Sequence, residues 1–258
     1  GPAFCADVLR ETGLRIWVID GKEEARLSAQ GVLLGWPGAY GLVCDIGGSS
    51  LELAEISRGR VGKRVTSPLG PLKLADIPGG KKGLKAELAR IVDQLADEMG
   101  TDHHRLFLVG GSWRAIARLD MERRGYPLTV LHEYRMSQKS LQKTLRWIED
   151  VDLDEVRLRT NTSATRMALV PIAALVLKRL IRVFRPKEIA VSSYGIREGM
   201  LYEQMPDRIR KRDPLIEACR FAEQKDARTP GFGKALYEFL IPLYKSANSD
   251  RRRVVKAA

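Results

Sequence analysis

Two rhythms of apolar and polar positions run along the chain, and each predicts its own kind of element. Residues 1–12 read as the end of a helix, and residues 14–19 alternate as a strand should. Asp20 then stands as a helix cap, with Glu23 three residues on to complete a capping-box-like pair. Further strands are predicted over residues 42–44, 51–56 and 61–66, the first two joined by Gly47-Gly48-Ser49-Ser50. Leu84, Leu88, Ile91, Val92, Leu95 and Met99 keep a helical period until Gly100 stops it. Residues 106–109 are continuously apolar, as in a strand buried on both faces, and run through Gly110-Gly111-Ser112 into a short helix over 113–119. Ser137 caps a helix with Leu141, Leu145 and Ile148 on one face. A long helix over 163–184 is apolar almost all round, with a kink expected at Pro171. A strand over 189–192 and a helix over 196–205 follow, and the remainder is helical in parts, over 215–221 and 235–244.

Between residues 41 and 205 the order is strand, strand, strand, helix, strand, helices, strand, helix. That order predicts an α/β unit, a mixed five-stranded sheet with helices on both faces.

Composition changes this picture little. The 258 residues are 44% hydrophobic and 29% charged, as expected of a globular protein with a real core. No run of about 18 apolar residues is present, so no membrane span is expected, and no signal peptide is read. Cys5, Cys44 and Cys219 are widely spaced without a CxxC, which fits a reducing cytoplasm and no structural zinc. His103, His104 and His132 show no metal-ligand spacing.

Charge matters more. The formal net charge is +12, and residues 206–258 carry thirteen Lys and Arg against seven Asp and Glu. Such a surplus attracts polyanions: nucleic acid, polyphosphate or a highly phosphorylated nucleotide. Nucleic acid is disfavoured, because no aromatic stacking platform or reading motif accompanies the charge.

The candidate chemistry gathers at two glycine turns. In the first, Asp45 ends one strand and Glu52 lies just inside the next. The backbone of Gly47 and Gly48, with the hydroxyls of Ser49 and Ser50, can hold phosphate oxygens. Two carboxylates beside such a loop would repel a bare phosphate, so they make sense with Mg²⁺ between. An ordinary hairpin with two solvated acids reads equally well at this point. The second turn, Gly110-Gly111-Ser112, lies between a strand end and a helix start, where anions bind. Glu24 is free of capping duty in the first turn of its helix, and it invites either a chemical role or a favourable place at the positive helix end.

The strand order resembles the subdomain shared by actin, sugar kinases and chaperone ATPases, a ribonuclease H-like fold. The motifs Gly21-Lys-Glu-Glu-Ala-Arg-Leu27, Asp45-Ile-Gly-Gly-Ser-Ser-Leu-Glu52, Val109-Gly-Gly-Ser112 and Gly195-Ile-Arg-Glu-Gly-Met200 resemble those of the exopolyphosphatase / guanosine pentaphosphate phosphohydrolase family. The family's first loop runs Asp-Ile-Gly-Gly-Gly-Ser-Thr-Glu, so Ser49 replaces Gly and Leu51 replaces Thr here. Trp113-Arg114 departs from the small residues common after the second turn. The resemblance implies hydrolysis of terminal phosphoanhydrides in polyphosphate or guanosine pentaphosphate. Glu24 would be the general base, Asp45 and Glu52 would hold Mg²⁺, and both glycine turns would bind phosphate.

The same resemblance implies three parts: residues 1–40 as the end of a first actin-like half, 41–205 as a second half, and 206–258 as the start of a helical carboxy-terminal domain. The chain is then expected to be a fragment with little activity alone, cytoplasmic, and compatible with a homodimer. Rival readings are a kinase of the same superfamily and a non-catalytic sensor of guanosine penta- or tetraphosphate.

Overall fold

The computed structural model of the chain describes residues 1–257. Helix α1 spans Pro2–Thr12 and ends on Gly13 in the left-handed conformation. Residues 14–20 follow as irregular chain, with Trp17 78% and Val18 83% exposed. The strand expected over 14–19 is therefore not formed. Alternation supplies the side chains for a strand, but a strand also needs a neighbour to share its backbone hydrogen bonds, and none of the described residues provides one.

Helix α2, Gly21–Gly35, is capped by Asp20, whose carboxylate accepts from the Glu23 backbone N–H at 2.8 Å. The reciprocal half of the expected capping box does not form. Glu23 turns instead to Arg26 at 2.6 Å, and Arg26 also reaches Glu203 at 2.8 Å.

Strands β1 (Gly41–Ile46), β2 (Leu51–Ser57) and β3 (Arg60–Ser67) form the expected meander. Then come α3 (Pro71–Ala75), α4 (Gly80–Met99), β4 (Arg105–Val109) and α5 (Gly111–Arg124). Next are β5 (Arg135–Met136), α6 (Gln138–Asp150), α7 (Leu153–Arg159), α8 (Ala164–Phe184), β6 (Glu188–Val191) and α9 (Ile196–Gln204). Helix α8 runs unbroken through Pro171, and it is not buried all round: Arg166, Ala168 and Arg182 are exposed. The end of the chain is helical: α10 (Asp207–Arg210), α11 (Pro214–Asp226), α12 (Phe232–Leu240), a 3₁₀ turn at Ile241–Tyr244 and α13 (Ser249–Ala257).

The strands form one mixed sheet in the order β3-β2-β1-β4-β6-β5. β1, β4 and β6 are parallel, and the others are antiparallel to their neighbours. The sheet has six strands where five were expected. The extra one, β5, is only two residues long, too short to show alternation in a sequence.

Alternation along β1 divides the core between the two faces. Leu42 and Cys44 join Leu106 and Leu108 beneath α4, α5 and α8. Val43 joins Ala54, Phe107 and Ala190 against Ala25, Ala29 and Val32 of α2. Helices α2 and α9 approach until backbones touch. A methyl group at Gly199 would lie 1.9 Å from the Leu27 carbonyl oxygen, and one at Gly31 would lie 2.2 Å from that of Gly195. Among the described residues, no helix is long and apolar enough to cross a membrane.

Candidate active site

The carboxyl ends of the parallel strands β1 and β4 carry the two glycine turns, and the amino ends of α2, α5, α8 and α9 bring side chains to them. In the β1–β2 register Asp45 and Glu52 are direct partners, so the antiparallel pairing itself sets the two acids side by side. Both are buried. Asp45 accepts a short hydrogen bond from Ser28 of α2. Glu52 accepts from Thr66 of β3 at 2.9 Å, while its other oxygen, Oε2, has no hydrogen-bond partner.

Glu24 is the third acid, half-buried, one helical turn before Ser28 on the same face of α2. The amino end of α2 lies hard against β3: a methyl group at Gly21 would meet Thr66 at 2.5–2.8 Å. Burial raises all three carboxyl pKa values. For Glu52 it reaches about 7, with the Ser50 and Thr66 hydroxyls opposing the shift and the neighbouring Glu24 and Asp45 charges adding to it. For Glu24 the Asp45 charge adds to burial. For Asp45 the Ser28 hydrogen bond and the Arg114 guanidinium counteract it. Each of the three acids thus lies within electrostatic reach of the other two.

Within the first turn, Gly47 N–H donates to the Ser50 carbonyl at 3.0 Å, and the Gly48 carbonyl accepts from Leu72 N–H of α3 at 2.9 Å. Gly48 and Ser49 are exposed at its tip, and Ser50 is half-buried. Gly70 backs the turn so closely that a methyl group there would lie 2.2 Å from the Ser49 carbonyl carbon.

The second turn closes onto the first. Gly110 has φ +110°, and a methyl group on it would lie 2.5 Å from the Ile46 carbonyl oxygen and 3.0 Å from Asp45 Oδ1. Gly111 opens α5 beneath Arg166, and Ser112, the next residue, is buried. Trp113, which departs from the family pattern, is fully buried and donates through Nε1 to the Cys44 carbonyl at 3.2 Å, tying α5 to β1 one residue from Asp45. The backbone N–H groups at the start of α5 receive no side-chain cap.

Around this turn stand arginines that the motif reading missed. Arg114 is half-buried, donates to the Gly110 carbonyl at 3.3 Å, and lies within electrostatic reach of Arg118, Arg166, Arg197 and Asp45. Burial, then the Arg166 charge, lowers its pKa. Arg114, Arg166 and Arg197 sit in the first turns of α5, α8 and α9. A helix dipole disfavours cations there. None of the three forms an ion pair with a carboxylate among the described residues, where many other arginines do. Arg114 and Arg118, four residues apart beyond a glycine turn, were the signal available in the sequence. Ser28, one turn beyond Glu24, was another.

No group of three or more His, Cys, Asp or Glu side chains among the described residues has metal-binding geometry. Asp45 and Glu52 nevertheless fit a cation of the Mg²⁺ type, which takes one or two carboxylates and completes its shell with water and phosphate oxygens. The unpartnered Oε2 of Glu52 is the structural observation that agrees.

A profile of the Ppx/GppA phosphatase family matches residues 2–208. The chain belongs to this family. Among curated proteins, retrograde regulation protein 2 of Saccharomyces cerevisiae is 25% identical over 245 residues, which is 84% of this chain and 41% of that protein. The chain therefore spans less than half the length of this relative. Among solved structures, an exopolyphosphatase from Cytophaga hutchinsonii superposes with a TM-score of 0.67 at 20% identity, covering 78% of this chain and 69% of that one. A Ppx/GppA family member from Aquifex aeolicus gives 0.64 at 20% identity, covering 79% and 68%. The actin-like ATPase fold is thus shared. Within the Ppx/GppA chain, the acids and glycine turns singled out by motif meet at one place in that fold.

Proposed function

We propose that this chain supplies the base and metal side of an active site that hydrolyses terminal phosphoanhydride bonds, releasing phosphate from inorganic polyphosphate, guanosine pentaphosphate or both. The activity is proposed for the complete protein, since the chain spans only part of its relatives. One observation carries the reading: three buried or half-buried acids with raised pKa values, and three arginines without a carboxylate partner on helix amino ends, gather at two adjoining glycine turns. A structural ion-pair network would join these charges to each other. Arg114 lies within electrostatic reach of Asp45, but no salt bridge joins the two sets, which suits a ligand that is anionic toward the arginines and reaches the acids through a cation.

In this reading the residues 47–50 turn and the start of α5 hold the terminal phosphates, and Arg114, Arg166 and Arg197 offset their charge. Asp45 and Glu52 would hold Mg²⁺, which when bound would offset charge on phosphate oxygens. Glu24 orients the attacking water and takes its proton as the water oxygen bonds to phosphorus. The bridging P–O bond breaks, and the electron pair leaves with the shortened chain. A carboxylate of raised pKa suits that task.

A second reading, a non-catalytic sensor of guanosine penta- or tetraphosphate, is favoured by Arg114, whose guanidinium already faces Asp45. Phosphate release from polyphosphate and from guanosine pentaphosphate, assayed on the complete protein with Mg²⁺, separates the two. Glu24→Gln is expected to lower turnover about 10²–10⁴-fold while binding persists. Normal turnover in that variant overturns the assignment of the base, and tight nucleotide binding without release by intact protein favours the sensor.

A further inference from the structure

Helix α6 turns Leu141, Thr144, Leu145 and Ile148 into the core and leaves Lys139, Lys143 and Arg146 exposed. Spacings of four and three residues put those three cations in one stripe. A cavity of about 460 Å³ opens on one flank of the stripe, lined by Arg123, Arg124, Arg135, Lys139 and Lys143 with two serines. On the other flank a cavity of about 480 Å³ is lined by Arg146, Lys178, Arg182 and Arg185 with two glutamines, Leu145 and Ile181. Nine cations therefore surround the outer face of one helix, and no acid lines either cavity.

Four of the nine are tied down: Arg123 and Arg124 on the buried Asp120, Arg135 on Glu188 and Asp250, and Lys178 on Glu149. The other five, Lys139, Lys143, Arg146, Arg182 and Arg185, form no ion pair among the described residues. Glu149, paired with Lys178, and Asp150 supply counter-charge only at the carboxyl end of the helix; the remaining like charges repel one another, and a polyanion relieves them. Arg123 and Arg124 lose little further freedom on binding, because Asp120 already holds them.

The surface lies away from the acids described above. Helix α5 carries the second glycine turn at Gly111 and Arg123 and Arg124 at its far end, about 20 Å along the axis at ~1.5 Å per residue.

We propose that α6 carries a second, non-catalytic binding surface for linear inorganic polyphosphate. The identity of the polyanion rests on the hydrolase reading, and the existence of the surface does not. The lining favours this ligand over other polyanions. Neither cavity is lined by an aromatic ring, so unpaired bases find no stacking platform. The cations wrap around a helix into two concavities, which a flexible single chain of phosphates can follow and a stiff duplex cannot.

The test measures binding of the full chain to polyphosphate of about 60 units and to tripolyphosphate over a salt series, with duplex DNA and anionic phospholipid vesicles as comparison arms. The triple variant K139Q/K143Q/R146Q is expected to bind the long chain at least ~10-fold more weakly. Its log–log salt slope should fall by about 2–3, close to one per cation removed. Tripolyphosphate binding is expected to stay unchanged. A second variant, R182Q/R185Q, should show the same selective loss from the other flank. Unchanged long-chain affinity in both variants overturns the surface. Duplex DNA or vesicles bound as tightly as polyphosphate, and lost in the same variants, overturn its ligand. Phosphate release by the complete protein is read separately: if none occurs, the hydrolase reading fails while the α6 result stands.

Discussion

A methyl group at position 110 has no room, because φ there is +110° and the Ile46 carbonyl oxygen lies 2.5 Å from where the carbon would sit. At position 47 the nearest atoms to such a carbon are 3.7 Å away, and φ is ordinary. Gly110→Ala is therefore expected to cost about 1–3 kcal/mol of stability and to push the second turn off Asp45, while Gly47→Ala folds nearly as well as the parent. Urea unfolding of the two variants checks this. A loss for Gly47→Ala as large as that for Gly110→Ala would contradict the geometry. In the sequence both glycines read alike, as parts of phosphate loops. Their difference depends on which backbone comes close in three dimensions, and no local pattern encodes that. Asp45, Glu52 and Glu24 were legible because motif spacing marks them. Arg166 and Arg197 were not, because only the fold brings helices so distant in sequence to one turn.

At the scale of elements, α5 joins two charged regions. Its first turn meets Asp45 through Gly110, and its last turns are fastened by Asp120. Asp120 is fully buried and receives hydrogen bonds from Thr144 and Ser140 of α6, Tyr134, Arg123 and Arg124. Burial alone would raise its pKa, but the bonds from Thr144, Tyr134, Arg123 and Ser140 outweigh burial and hold it below the usual value. A depressed carboxyl pKa contributes stability above its unfolded value, and that contribution is lost as pH falls through the folded one. Asp120→Ala is expected to cost about 3 kcal/mol at pH 7, and the gap between variant and parent should narrow below about pH 4. Denaturant titrations at pH 7 and pH 3 measure it; a gap independent of pH would contradict the role given to the charge. The five longer strands and most core helices were legible at this scale, since each buries a periodic face. β5 escaped because two residues carry no period. The alternating residues 14–19 were misread because alternation says which side chains could pack, not whether a neighbouring strand is there.

For the whole molecule, α2 is the element on which the acids depend. It carries Glu24 and Ser28, and it is seated by the sheet on one side and by α9 on the other. The contact with α9 leaves no room for a side chain at Gly199. Gly199→Ala should separate the two helices, destabilise the chain by about 1–3 kcal/mol, and lower turnover of the complete protein as Glu24 shifts from Asp45. Thermal unfolding and phosphate release, read together, check it; loss of stability with full turnover would show that α2 keeps its place without α9.

The edges of the sheet bear on how the chain behaves in a tube. One edge, β3, carries Arg60, Lys63 and Arg64, and the other, β5, is two residues long, so both discourage further strand addition. Residues 14–19 carry a single charge, Arg15, among five apolar side chains. They are exposed, alternate, and include Ile16, Trp17, Val18 and Ile19, a composition that favours pairing between copies. Self-association of the isolated chain, at high concentration or on storage, will start at these six residues. A lysine or proline among them will do more for solubility than any change to the sheet.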